Sequence, residues 1–276
     1  SGQDYIESSL IEEWAKKDPI KNYERFLVKE KILSKDSIKK TRNKIAKEID
    51  KDWKDANSLP EVIFNQEKEL LDVFKNHKAV IEVNNSNSSE NIRFVDSIKD
   101  GIDEAMEEHD NLVIMGQDIA EYGGVFKITE GLIHKYGKNR VFNTPLCESS
   151  ILSASYGMSI GGFKTIVEMQ FSDFISSGFT AIVNLIAKSN YRWSQNSDIV
   201  VRMPCGGGVG AGPFHSQTNE VWFSKVPGLK IVYPSFPSDA KGLLHSSIDD
   251  PNPVLFFEHK NLYRTIRQDV KKGRYT

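Results

Sequence analysis

Glu148 stands where an apolar, strand-like pair, Val141 and Phe142, breaks at Pro145 and a helical spacing begins with Ile151, Leu152, Ser155, Met158 and Ser159. A carboxylate at that point has two uses. The positive end of a helix favours a negative charge in its first turn whatever else the protein does. A partly buried carboxylate at the carboxyl end of a parallel strand also lies where open α/β sheets bind ligands, and there it can hold or share a proton. The second candidate is the segment 205–217, CGGGVGAGPFHSQ, which delivers His215 out of a run of glycines. It lacks the Lys-Ser/Thr of a phosphate-binding P-loop. It does fit GxGxxA from Gly206 to Ala211, but the next strand ends in Tyr233-Pro234-Ser235 with no acid for a ribose, which argues against a dinucleotide. GMSIG (157–161) formally fits the nucleophile elbow G-x-S-x-G, yet that motif needs a strand directly before the serine, and 150–159 read as helix.

The elements that must position these residues follow from periodicity. LVIMG (112–116) is a short continuous apolar run, as expected of a strand covered on both faces. Val141-Phe142, TIVEM (165–169), IVVRM (199–203), KIVY (230–233) and PVLFFE (253–258) are further strand candidates. Helices are expected over 94–108, with Phe94, Ile98, Ile102 and Ala105 facing inward, and over 127–136, 173–193, 216–224 and 237–249. Strands alternating with such helices predict an α/β fold, a parallel sheet with helices on both faces.

An α-helical segment precedes it. Residues 1–80 hold 17 of the 36 Lys/Arg and 16 of the 38 Asp/Glu, about twice the charge density of the rest. Leu10, Ile11 and Trp14 share a helical face, and the Asp18-Pro19 step stops one helix and opens the next. Tyr23, Phe26, Leu27, Ile38, Ile45, Ile49 and Trp53 continue the pattern, with Ser34 and Ser37 as caps of a third helix. A further helix fits 61–80, and NNSNSSEN (84–91) reads as a flexible linker. The expected division is a helical segment 1–83 and a linker 84–91, followed from residue 92 by the sheet domain, whose extent to 264 and onward connection over 265–276 are what the resemblance described below implies.

The 276 residues give room for a sizeable core. A net charge of −2 offers nothing to a nucleic acid or an anionic membrane surface. No apolar run approaches the ~18 residues of a membrane helix, so a soluble chain is expected. Two cysteines, Cys147 and Cys205, make neither a disulfide framework nor a zinc site.

The wording of several blocks adds to this reading. NRVFNTPLCE, TIVEMQFSDF, FHSQ, VPGLKIVYPSFPSDAKGLL and DPNPVLFFEHKNLYR, in unbroken order from Ile92 to Arg264, resemble the beta subunit of thiamine-diphosphate-dependent 2-oxo acid dehydrogenases, of the branched-chain or pyruvate type. EEWAKKDPIKNYERFLVKEKILS resembles the C-terminal helices of the alpha subunit of the same family, which suggests an alpha–beta fusion. The resemblance implies a transketolase-like pyrimidine-binding domain. It places Glu148 of TPLCE on the cofactor's aminopyrimidine as the group that drives proton abstraction. Leu146, Gln170 and Phe174 would surround the ring, and His215 would act on the 2-oxo acid. Ile199, Ser247, Asp250 and Asn252 stand where branched-chain members hold a structural monovalent cation, potassium by expectation, using mostly backbone oxygens, although Asp-Pro-Asn-Pro is equally an ordinary turn. The GDG element that holds magnesium and the diphosphate in this family does not occur in this sequence. The resemblance therefore implies an alpha-type diphosphate-binding domain as partner, a homo-oligomer, a lipoyl-bearing acyltransferase in the full enzyme, and a bacterial cytoplasmic setting. It also implies that this chain alone is inactive. A non-catalytic assembly module and a transketolase-like enzyme are the alternatives.

Overall fold

The structure, a computed structural model, describes residues 5–79, 81–86 and 88–276, which form two compact units divided between Phe64 and Asn65. The first unit holds α1 (Ser8–Lys16), α2 (Pro19–Lys29) and α3 (Lys35–Ser58). Their starts are written locally. Asp18 accepts the amides of Ile20 and Lys21 at 2.9 and 3.0 Å while Pro19 takes the first helical position. Ser34 and Ser37 cap α3 reciprocally, each side chain on the other's amide at 3.0 Å. None of the three helices buries a residue within the structure. Capping and turn chemistry, rather than a core, define this unit.

The second unit opens with α4 (Gln66–Asp72), shorter than the helix expected over 61–80 (Val80 lies outside the described residues). The chain then runs extended along its own domain. Lys75 and Asn252 exchange hydrogen bonds of 2.7 and 3.0 Å, and Glu82 and Thr276 bonds of 2.7 and 3.2 Å. The stretch 84–91 is therefore not a free linker. Asn84 bonds the Lys272 carbonyl at 2.8 Å, and β1 (Ser89–Arg93) pairs antiparallel with Arg267–Lys271, so backbone pairing outweighs the polar composition. Asn87 lies outside the described residues. The same pairing makes 267–271 part of this unit.

In chain order there follow α5 (Phe94–Glu108), β2 (Leu112–Gly116), α6 (Leu132–Tyr136), β3 (Val141–Asn143), α7 (Glu148–Ile160), β4 (Lys164–Glu168), α8 (Ser189–Trp193), β5 (Ile199–Cys205), β6 (Lys230–Val232), α9 (Pro237–Asp249), β7 (Val254–His259), α10 (Leu262–Thr265) and β8 (Arg267–Lys271). The main sheet has the order β3-β2-β4-β5-β7-β6 and every pairing in it is parallel. Alternate strand residues face opposite layers. Ile114, Ile166, Val200 and Phe256 pack with Ile98, Ile102 and Leu244 of α5 and α9. Met115, Val167, Val201, Leu255 and Phe257 pack with Ile151 and Leu152 of α7 and with Ile175 and Ile182. Burial on both faces explains why these strands read as continuous apolar runs.

Three expected helices are corrected. Only Leu132–Tyr136 of 127–136 is helical, because Gly131 enters it with φ +89°. The run 173–193 breaks into 3₁₀ turns at Ser172–Gly178 and Ile186–Lys188, a π turn at Ala181–Leu185, and α8. Close tertiary approaches accompany the breaks: a Cβ on Gly178 would lie 2.4 Å from Leu152 Cδ1. The expected helix 216–224 is instead irregular chain with one 3₁₀ turn, Glu220–Trp222, preceded by another at Pro213–His215. There the Gln217 amide goes to Asp173 at 3.1 Å and the Asn219 side chain to the Ser172 carbonyl at 2.7 Å, so no helical ladder forms.

Candidate functional site

From β2 the chain moves to β3 on one side, then crosses through α7 to β4 on the other. That reversal opens a crevice at the carboxyl ends of the strands. Its floor is tied together by Thr144 N–H to the Gly116 carbonyl at 2.9 Å and by Asn143 Oδ1 accepting the Ala120 amide at 2.8 Å. Leu146 is 70% exposed on the rim. Cys147 is the N-cap of α7, and its bonds from the Ser150 side chain and amide hold the exposed thiol below its usual pKa. Glu148 is the first residue of α7 and half-buried. Ser177 Oγ donates to its Oε2 at 3.0 Å, and Oε1 makes no hydrogen bond to a described residue.

Phe174 and Ser177 belong to the 3₁₀ segment Ser172–Gly178, which therefore touches Glu148 at one end and His215 at the other. The Phe174 and His215 rings lie 5.4 Å apart, edge to face at 79°. Phe171 completes the wall, 4.8 Å from His215 and 5.7 Å from Phe174. His215 Nδ1 is buried without a hydrogen-bond partner. Gln170, half-buried just beyond β4, donates to Asp118 Oδ2 at 3.4 Å. The structure thus gathers Glu148, Phe174 and His215 along one short segment, with Gln170 following β4 and Leu146 preceding α7. Sequence reasoning missed Ser177, Phe171 and Asp118. Ser177 carried no signal, because it lies inside a run whose periodicity reads as unbroken helix.

Beneath the crevice lies a buried ion cluster. Arg202 donates to Glu168 at 2.7 Å and to both oxygens of Glu258 at 2.7 and 2.8 Å, and Tyr263 donates to Glu258 at 2.6 Å. Burial pushes the Glu168 carboxyl above its usual range although Arg202 opposes this. Burial also works against the Arg202 charge, yet Glu258 and Glu168 carry its pKa above the ordinary value.

At the expected cation cage the side chains are engaged with one another. Burial would raise the Asp250 carboxyl, but Lys230 and Asn252 overcome it and hold it below its usual range. Lys230 pairs with Asp250 Oδ2, the Asn252 side chain and amide take Oδ1 at 2.8 and 2.9 Å, and Asn252 Oδ1 accepts the Lys75 amide. Ser247 Oγ is spent on the Leu243 carbonyl at 2.6 Å, and Ile199 is a buried residue at the start of β5. Side chains already paired with one another and with an ammonium leave only backbone carbonyls for a cation. Among the described residues no group of three or more His, Cys, Asp or Glu is placed to hold a metal. The elbow reading also fails geometrically: Ser159 Oγ is buried within α7 and accepts the Asp198 amide at 2.7 Å. No helix among the described residues is long and apolar enough to cross a membrane.

Residues 90–265 match the family described as transketolase, pyrimidine binding domain. A pyruvate dehydrogenase E1 component subunit beta of Acholeplasma laidlawii is 45% identical over 67% of this chain and 57% of its own length. A 2-oxoisovalerate dehydrogenase subunit beta of Bacillus subtilis is 45% identical over 66% of this chain and 56% of its own. Among solved structures, a split-gene transketolase described as an inactive β4 tetramer aligns with a TM-score of 0.49 at 15% identity, over 61% of this chain and 51% of that one. The chain thus spans a little over half the length of the curated relatives it matches.

Proposed function

We propose, from the premise that this chain belongs to the transketolase pyrimidine-binding domain family, that it is the pyrimidine side of a thiamine-diphosphate-dependent 2-oxo acid dehydrogenase. The observation that carries the reading is the 3₁₀ segment Ser172–Gly178. Through Ser177 and Phe174 it sets a carboxylate, an aromatic wall and an imidazole along one crevice. The residues fit the ring end of the cofactor: Glu148 has an oxygen to spare, and Phe174 and Leu146 supply apolar surface. When bound, thiamine diphosphate would supply a thiazolium carbon acidic enough to lose its proton to the cofactor's own aminopyrimidine and so become a nucleophile for the keto group of a 2-oxo acid.

Glu148 holds the proton at the far ring nitrogen of the aminopyrimidine, with Ser177 fixing its other oxygen. Phe174 and Leu146 exclude water around the ring. His215, held on two sides by aromatic edges, faces the 2-oxo acid as proton donor or carboxylate partner. Residues 1–83 serve in this reading as an alpha-subunit-like C-terminal segment, whose helices are α1 to α4. An alpha-type domain brings the magnesium and diphosphate ligands, and a lipoyl-bearing acyltransferase takes the acyl group. The assembly is a homo-oligomer in the bacterial cytoplasm. A structural monovalent cation, potassium in this reading, would be held at Ile199, Ser247, Asp250 and Asn252 mostly by backbone oxygens, because the side chains of Asp250 and Asn252 are otherwise engaged.

The test is release of labelled carbon dioxide from pyruvate, 2-oxoisovalerate and 2-oxoglutarate, with and without the diphosphate-binding partner. The chain alone is expected to be inactive and to bind cofactor with magnesium weakly by calorimetry. A few hydrogen bonds of ~0.5–1.5 kcal/mol each do not replace a diphosphate site. Micromolar binding by the chain alone, or no substrate turned over by the assembly, defeats the proposal. His215→Ala in the assembly is expected to lower turnover by about a hundredfold with little change in cofactor affinity. Single-turnover kinetics check it, and a collapse of cofactor affinity with intact chemistry would make His215 structural.

A further inference from the structure

Phe171, Phe174 and His215 form a closed triangle of rings. Phe171 lies 5.7 Å from Phe174 and 4.8 Å from His215, and Phe174 lies 5.4 Å from His215, at interplanar angles of 76°, 89° and 79°. Near-perpendicular rings at such spacings set the positive edge of one on the negative face of another. The chain brings two of the three together locally. Phe171 leads into the 3₁₀ segment Ser172–Gly178, and the Phe174 amide bonds the Phe171 carbonyl at 3.1 Å. Residues three apart in a 3₁₀ turn lie on one side of it. His215 arrives from the loop 206–217, whose neck is closed by the Gly206 amide on the Gln217 carbonyl at 2.9 Å.

The three rings are not held alike. Among the described residues the ring contacts of Phe174 and His215 stay within the triangle. A hydrogen bond to one ring nitrogen commonly settles how an imidazole sits, yet His215 Nδ1 is buried without a partner. Phe171 reaches out of the triangle on two further sides. Phe126 meets it at 5.8 Å and 76°, and Tyr263 stands behind Phe126 at 5.0 Å, its hydroxyl on Glu258 of the ion cluster at 2.6 Å. Lys260, 3% exposed and directly after β7, carries its ammonium 5.3 Å over the Phe171 ring.

We infer that Phe171 is a positioning residue that sets the Phe174 and His215 rings against each other, and so fixes the aromatic wall of the crevice relative to its imidazole. Phe171 is the corner of the triangle anchored by rings and a cation of the interior. Without its ring the other two keep only their contact with each other, and nothing aromatic joins that pair to Phe126 and Tyr263. Phe171 acts through its two neighbours rather than on the reacting atoms. The catalytic consequence rests on the reading of Phe174 and His215 given above, whereas the packing itself does not.

The test uses the full chain for structure and the assembled enzyme for kinetics. Nuclear Overhauser contacts between the ring protons of His215 and Phe174 report the packing. Phe171→Leu is expected to abolish them, and Phe171→Tyr, which keeps the ring, to retain them. Phe171→Met fills the space with a flexible chain and no ring, and gives the same comparison should Phe171→Leu not fold. In the assembled enzyme Phe171→Leu is expected to lower kcat by about tenfold or more, the scale of a misplaced catalytic group, with most of the loss restored in Phe171→Tyr. In a His215→Ala background the same substitution is expected to lower kcat no further, because Phe171 acts through that ring. Ring contacts that persist in the Leu and Met variants overturn the inference. So does an equal loss of kcat from Phe171→Leu with and without His215, the mark of a merely structural residue. If the contacts vanish in Phe171→Leu but His215→Ala leaves turnover intact, the positioning stands and the catalytic reading fails. If His215→Ala lowers turnover while Phe171→Leu changes neither the contacts nor kcat, the inference fails and the reading stands.

Discussion

Replacing Glu148 by Gln is expected to lower turnover of the assembled enzyme by about 10²–10⁴-fold, the range of a lost acid–base contribution, without changing the fold. The substitution conserves size, and the amide oxygen still accepts from Ser177, whose 3.0 Å bond holds the side chain at the start of α7. What it removes is the ability to carry and exchange a proton with a ring nitrogen. Circular dichroism and the melting temperature should match the parent, because Glu148 is half-buried at a helix end and its charge there contributes only about 0.3–1 kcal/mol. Steady-state release of carbon dioxide and the rate of hydrogen–deuterium exchange at the thiazolium carbon measure the effect. Near-normal turnover in a folded variant would sink the role of Glu148. It would also favour the alternative in which this domain serves assembly rather than chemistry.

Arg202→Met is expected to cost about 3–5 kcal/mol of stability, the usual penalty for removing one partner of a buried ion pair. For a unit of this size that is a fall in melting temperature of roughly 6–20 °C. Arg202 is fully buried and makes three bonds to Glu168 and Glu258, so the variant leaves two carboxylates without a counter-charge. Glu168→Gln should be far milder. Burial already pushes Glu168 toward its neutral form, and an amide oxygen can still accept from Arg202. The same shift sets a sign for pH. The folded carboxyl is raised above the ordinary 4.5, so its contribution to stability is present below that value and declines as pH rises through the folded pKa. Thermal melts across that range should show the decline in the parent and its absence in Glu168→Gln. Equal losses in Arg202→Met and Glu168→Gln would refute the unequal roles assigned to the two residues.

How much of this was legible in the sequence differs from element to element. The strands were readable because a parallel sheet covered on both faces needs continuous apolar runs, as in Leu112–Gly116, and the run expected over 199–203 starts where β5 starts although Arg202 interrupts it. The starts of α2 and α3 were readable because Asp18-Pro19 and Ser34 act on amides two or three residues away. Glu148 at the head of α7 was visible for the same reason: a helix start is a local event. The segment 84–91 misled because polarity reports exposure of side chains, while pairing with Arg267–Lys271 is a backbone matter.

The run 173–193 misled more deeply, since its apolar spacing does fit a helix. Only the tertiary structure decided that it breaks, where Gly178 lets it pass against Leu152 and Ser177 turns onto Glu148. The same holds for the ring contacts of Phe171 and Phe174 with His215, and for the Lys260 ammonium over the Phe171 ring. Those residues lie on different strands' carboxyl ends. Hydrogen bonds and apolar spacing within a few residues can be read along the chain, but contacts across a sheet depend on strand order and on how closely two backbones approach, which no local pattern encodes.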